Sequence, residues 1–225
     1  MLAAIPKDHR AVVLGRCCQR RYAKGEVVWR QGDPVQVVVF LAEGKAVTEY
    51  HNREGRRYIT GLWLPGDLIG AHNLAPYNVH QMTVRCIESS LVYALPVEEL
   101  RALVRSHPDW AEAIITALSV RLHWFSGLAL LFSQSASERV SGILLSLSEH
   151  FGVETRSGLM IDLSLTHETL AAMVGVTRSF FSTTLKQLER NGLVQTERRR
   201  IVIRDRARLR ACADLGAFGD PSTSG

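Results

Sequence analysis

The sequence predicts an α+β protein in three consecutive parts: a small all-β sandwich or roll, one long apolar helix, and a winged helix-turn-helix. Three observations predict it. Between Tyr22 and Pro96 short β-rich runs alternate with turn residues, and Gly25, Gly32, Gly44, Gly55 and Gly66 punctuate them about every 8–12 residues. From Asp109 to about Ser133 apolar residues recur at three- and four-residue spacing. Then LTHETLAAMVGVTRSFFSTTLKQLERNGLV, residues 165–194, reads as two helices around a glycine, followed by a strand pattern with a charged tip.

Composition sets the limits. The 225 residues suffice for two modest domains, each with a core. Hydrophobic content of 46% and charged content of 22% are ordinary for a soluble globular chain. The formal net charge of +5 tilts toward an anionic partner. That charge is spread almost evenly over residues 1–133 and 134–225, so neither half is strongly basic; the basicity is local, with seven arginines between Arg198 and Arg210 against Asp205 alone. Cys17, Cys18, Cys86 and Cys212 form no CxxC or zinc spacing, which fits a reduced cytoplasmic setting. MLAAIPKDHR has no signal-peptide core, and Arg121, His123, Ser133 and Gln134 break the apolar passages, so no membrane span is expected. The chain lacks a P-loop, a nucleophile elbow, a metal-ligand run and a cofactor glycine fingerprint, which argues against an enzyme.

In order along the chain, residues 1–20 are expected as a short helical lead, followed by the strands VVW, VQVVVFLAEG, VTEYHNREG, YITGLWLPGD and MTVRCIESSLVYALP. VEELRALVRSHPDW gives a helix that must end before Pro108. In the long helix Ile114, Leu118, Leu122, Phe125 and Leu128 form an apolar stripe; one side packs on the roll, and the remainder is covered by a second copy. A helix over Glu138–Phe151, a strand in GLMIDLSL, the two-helix motif and a hairpin in LVQTERRRIVIRD complete the fold, and GDPSTSG is a polar tail.

The two-helix motif carries the functional expectation. Thr166 caps the first helix and Glu168 favours its first turn; Leu170, Ala171 and Val174 form the inner face. Gly175 supplies the turn, Val176 is expected in the buried elbow, Thr177 caps the second helix, Phe181, Leu185 and Leu188 face inward, and Asn191-Gly192 ends it. Arg178, Ser179, Ser182, Thr183 and Lys186 are left facing out, a polar, cationic and carboxylate-free surface of the kind a DNA major groove requires. Phe180 either touches a thymine methyl or flanks the core, and the second is the favoured reading. Arg198, Arg199 and Arg200 fall at the hairpin tip, where a wing would meet backbone phosphates. Thr166 and Thr177 join these as candidate DNA-contacting residues.

The stretches YAKGEVVWRQGDP (22–34), VVFLAEGKA (38–46), LPGDLIG (64–70), ERVSGILLSL (138–147) and the two-helix motif, in this order, resemble the Crp/Fnr family of bacterial transcription regulators over roughly residues 20–210. The resemblance implies a double-stranded, jelly-roll-like β-roll at residues 1–107 with its N-terminal helix, a dimerisation helix and hinge at 108–135, a winged helix-turn-helix at 136–213 and a disordered tail at 214–225. It further implies a homodimer on a palindromic operator in double-stranded DNA, RNA polymerase as partner, and a small-molecule effector that shifts the population between DNA-competent and incompetent arrangements of the long helices.

The departures from the family pattern concern the effector. Where its cyclic-nucleotide binders have a ribose-binding Glu after GD-φ-φ-G and then a phosphate-binding Arg-Ser, this chain has Ala71, and His80-Gln81; Arg85 lies past the motif. Each lost charge-assisted bond is worth about 1.5–3 kcal/mol, so cyclic AMP is not expected. The oxygen-sensing branch clusters cysteines around iron–sulfur; adjacent Cys17-Cys18 and a solitary Cys86 suit this poorly, and ordinary small residues are the favoured reading, with a thiol redox switch as the alternative. The carbon monoxide sensors ligate haem with a His placed as His72 is here, though Gly70 stands for their partner cysteine; Trp124 and Phe125 would then wall a flat apolar ligand. His72 as a haem ligand is therefore an alternative to an unliganded roll, as is a docking module without DNA binding. The recognition helix keeps Arg178 but has Ser179 and Thr183 for the family's Glu and second Arg, which implies a half-site other than TGTGA.

Overall fold

The computed structural model describes residues 13–76, 78–197 and 200–213. Most of the expected lead helix and all of the tail at 214–225 lie outside the described residues, and Cys18–Tyr22 is a strand rather than helix. The chain divides into two compact units, Met1–Phe125 and Ser126–Gly225.

Among the described residues of the first unit are eight strands: β1 (Cys18–Tyr22), β2 (Val27–Trp29), β3 (Val37–Glu43), β4 (Ala46–His51), β5 (Arg57–Trp63), β6 (Leu68–Ile69), β7 (Thr83–Cys86) and β8 (Ser90–Pro96). They form two antiparallel sheets, ordered β1-β8-β3-β6 and β2-β7-β4-β5. The run VVVFL in β3 is apolar at successive positions because both of its faces are buried. Val39 and Leu41 join Trp29, Trp63, Ile69 and Val84 in a core drawn from both sheets. Val38 and Phe40 point the other way, into a core shared with the helices α1 (Val97–Ser106) and α2 (Pro108–Leu131). There the Trp110 ring meets Phe40 edge-on at 6.2 Å.

The beginning of α2 is held on the roll by Trp110, Ala113 and Ile114, all buried. Further along, Arg121 donates to the Leu62 carbonyl at 2.6 Å, pairs with Asp67, and lies over the Trp63 ring at 3.9 Å. Ile114 and Leu128, expected on an outward stripe, are buried within this copy at 3% and 5% exposure. Leu118, Leu122 and Phe125 are exposed as expected, and Ile115, Val120 and Leu130 are exposed beside them. By length and composition α2 is apolar enough to cross a membrane, which the sequence reading did not anticipate.

The second unit is built on α3 (Ala136–Phe151), opened by a capping box in which Ser135 and Glu138 satisfy each other's backbone N–H groups. Val140, Ile143, Leu144 and Leu147 are buried along it. Strands β9 (Gly152–Thr155), β10 (Gly158–Ile161), β11 (Val194–Glu197) and β12 (Arg200–Ile203) form an antiparallel sheet ordered β11-β12-β10-β9. The helices α4 (His167–Met173), α5 (Arg178–Arg190) and α6 (Arg206–Ala211) complete the unit. The sequence reading had no counterpart of β9 or α6.

Candidate nucleic-acid interface and sensor roll

Local chemistry forms the two-helix motif. The Thr166 hydroxyl accepts from the Thr169 N–H at 3.1 Å and the Thr177 hydroxyl from the Phe180 N–H at 3.2 Å, so both helices carry the side-chain caps the sequence called for. Gly175 takes φ 65° in the turn. At the end of α5, Gly192 takes φ 72°, its N–H reaches the Glu189 carbonyl, and the Leu193 N–H reaches Leu188: a Schellman closure. Phe181, Leu185 and Leu188 are buried as expected. The elbow is filled by Val174 at 0% exposure, whereas Val176 is only half-buried, a correction to the expected packing.

Arg178, Ser179, Thr183 and Lys186 are exposed on α5, and Ser182 is half-buried. Two of the hydroxyls are committed within the fold. Ser182 Oγ lies 2.9 Å from His167 Nδ1 on α4, and Ser179 Oγ lies 3.1 Å from the capping Thr177 hydroxyl. His167 also sets its ring against Phe181 at 5.5 Å and so ties the two helices together, a role the sequence reading missed. Phe180, expected to flank the core, is 39% exposed.

The arginine run from 198 to 210 is less free a cation source than its composition implies. Arg200 pairs with Asp162 at 2.7 Å, and Arg206 and Arg210 both reach Glu149 Oε1 at 3.0 and 3.1 Å. Arg198 and Arg199 lie outside the described residues. Arg139 of α3 donates from Nε to the Val174 carbonyl at 2.8 Å and from Nη1 to the Gln134 carbonyl at 2.9 Å. It therefore joins the turn of the motif to the segment that follows α2.

In the roll, Gly70 adopts φ 92° before a 3-10 turn over Ala71–Leu74. A side chain at Gly70 would press on the Trp29 ring. Ala71 is buried, while His72 and Gln81 are exposed. His80 is 3% exposed, stacks on Trp29 with ring centroids 4.2 Å apart, and sets Nδ1 3.3 Å from the buried Asn73 amide. Burial, and secondarily the charge on His72, push its pKa down to about 4. Arg85 stands apart from these: it bonds Glu49 at 2.8 Å and the Gly25 carbonyl at 2.8 Å, on the rim of an open basin of about 690 Å³ that it shares with Arg20, Tyr22 and Arg30. Trp124 is buried and Phe125 exposed, so the two do not present one aromatic wall. Burial raises the pKa of Cys17 to about 11 and raises that of Cys86, which keeps both as thiols near neutral pH.

Residues 19–107 match the model of the cyclic nucleotide-binding domain, and residues 138–212 match that of the Crp-like helix-turn-helix domain. Among similar curated proteins, electron transport regulator A of Shewanella oneidensis is 26% identical over 84% of this chain and 76% of its own. The transcriptional activator protein Anr of Pseudomonas aeruginosa is 26% identical over 86% of this chain and 80% of its own. The structure of FixK2 from Bradyrhizobium japonicum shares the fold, with a TM-score of 0.76 at 24% identity over 89% of this chain and 99% of that one. A nucleotide-binding-type roll followed by a Crp-like winged helix defines a DNA-binding transcription regulator, not an enzyme. The chain belongs to the Crp/Fnr family.

Proposed function

We propose that the protein works as a cytoplasmic homodimer on a two-fold operator, paired through α2, contacting RNA polymerase, and governed by an effector other than cyclic AMP. The observation that carries the dimer is the exposed row Ile115, Leu118, Leu122 and Phe125, spaced three, four and three residues apart. That is the a/d spacing of a two-stranded coiled coil, and such a seam is too apolar to face water alone. Two paired helices carry two copies of α5, and Arg178, Ser179, Thr183, Lys186 and the hairpin tip at 198–200 are the proposed DNA-contacting groups, with the Thr166 and Thr177 caps beside them.

The effector reading rests on His80. A cyclic phosphate needs a cation in the wall of the roll, and at this position stands an imidazole stacked under Trp29 and held neutral by burial. No feature of the roll favours haem at His72 over a metabolite bound elsewhere, so the effector is left as a small molecule of another class acting by population shift. The test is operator binding with and without millimolar cyclic AMP, alongside sedimentation of the wild type and Leu122→Glu. The wild type is expected to sediment as a dimer, to bind DNA indifferently to the nucleotide, and to become a monomer in L122E. Cyclic AMP that tightens binding, or an L122E that stays dimeric, overturns the corresponding part.

A further inference from the structure

We infer that Phe180, with Thr183 beside it, reads the C5-methyl of a thymine in the operator half-site, so that sequence preference rests in part on apolar contact. The inference builds on the DNA-reading assignment of α5 above. The hydroxyls that sequence alone would assign to base edges are partly committed: Ser182 to His167 and Ser179 to Thr177. Phe180 and Thr183 are both exposed and three residues apart, hence neighbours on one side of the helix. The ring is not among the side chains of the inner face, which is formed by Phe181, Leu185 and Leu188. A Phe left 39% exposed in the first turn of a recognition helix leaves apolar surface in water, and DNA binding is the event that would cover it. In a major groove the apolar feature available is the thymine methyl, and Phe and the Thr methyl are the side-chain types that meet it.

The test starts with selection of the preferred duplex from a random pool by the purified wild-type protein. Each thymine of the selected half-site is then replaced singly by deoxyuridine, which removes the methyl and nothing else. At one thymine the wild type is expected to lose about four-fold in affinity per half-site, the equivalent of one buried methyl. Phe180→Ala is expected to bind the thymine and uracil duplexes equally, and Phe180→Leu to keep part of the discrimination. Thymines that are all indifferent to the methyl overturn the inference on wild type alone, whatever the variants do. So does a Phe180→Ala protein that folds, by its melting curve, and keeps the wild-type ratio. Failure of the selection to return any preferred sequence overturns the base-reading assignment of α5 as well, whereas a preferred sequence without methyl dependence leaves that assignment standing.

Discussion

His80 carries its own test because its environment penalises a proton. Its pKa is about 6.5 in an unfolded chain and about 4 in the folded roll. Between those values the unfolded state binds the additional proton, so stability falls as pH is lowered through that window. The loss reaches about 3 kcal/mol below pH 4 and vanishes above pH 7. Urea midpoints at pH 7 and pH 4.5 should differ clearly for the wild type and much less for His80→Phe, which keeps an aromatic ring on Trp29 but cannot titrate. Parallel losses in both proteins would assign the effect to other groups. The same residue marks a limit of sequence reading. The family resemblance singled out position 80, but its stacking partner, Trp29, lies some fifty residues earlier, and no local pattern announces that pairing. The caps Thr166 and Thr177 were legible because a cap acts on N–H groups two or three residues away.

Elements follow the same division. The two helices of the DNA-binding motif, most strands of the roll and the hairpin were readable from periodicity and turn residues, since each signal lies within its own segment; β1, expected as helix, was not. The outward stripe of α2 was displaced: Ile114 and Leu128 are taken by the chain's own interior, and Ile115 joins Leu118, Leu122 and Phe125 outside. A helix apolar nearly all round offers several stripes, and only its packing chooses among them. Arg139 was invisible as a structural tie because both of its hydrogen-bond acceptors, the Val174 and Gln134 carbonyls, are backbone. Arg139→Ala leaves two carbonyls without their charged donor and is expected to cost roughly 2 kcal/mol or more in equilibrium urea unfolding. Arg139→Lys should not restore it, because an ammonium lacks the forked donors that span two acceptors. Full recovery in the lysine variant would mean that charge alone matters there. The arginine run from 198 to 210 is the same lesson in reverse: seven arginines were plain in the sequence, while Asp162 and Glu149, which neutralise part of that charge, are far from it along the chain.

At the scale of the whole molecule, a net charge of +5 per copy is modest for a DNA-binding protein, and Arg200 of the hairpin and Arg206 and Arg210 of α6 are paired internally. In the proposed dimer, affinity would then come from a few cations presented twice. With Arg178, Lys186 and one or more cations of the hairpin tip engaging phosphates in each copy, a dimer would release the counterions of about six phosphates. Binding should accordingly weaken by about a thousand-fold between 50 and 200 mM salt. The slope of log affinity against log salt is therefore a count of copies on the DNA as well as of contacts. For Leu122→Glu, which removes the apolar seam but no cation of the reading face, the slope should fall to about half while Arg178 and Lys186 still contribute. The measurement is a fluorescence-anisotropy titration at several salt concentrations for both proteins. An unchanged slope in a variant that sediments as a monomer would mean that one copy makes all the phosphate contacts, and that α2 pairing positions the reading heads without adding to their electrostatic grip.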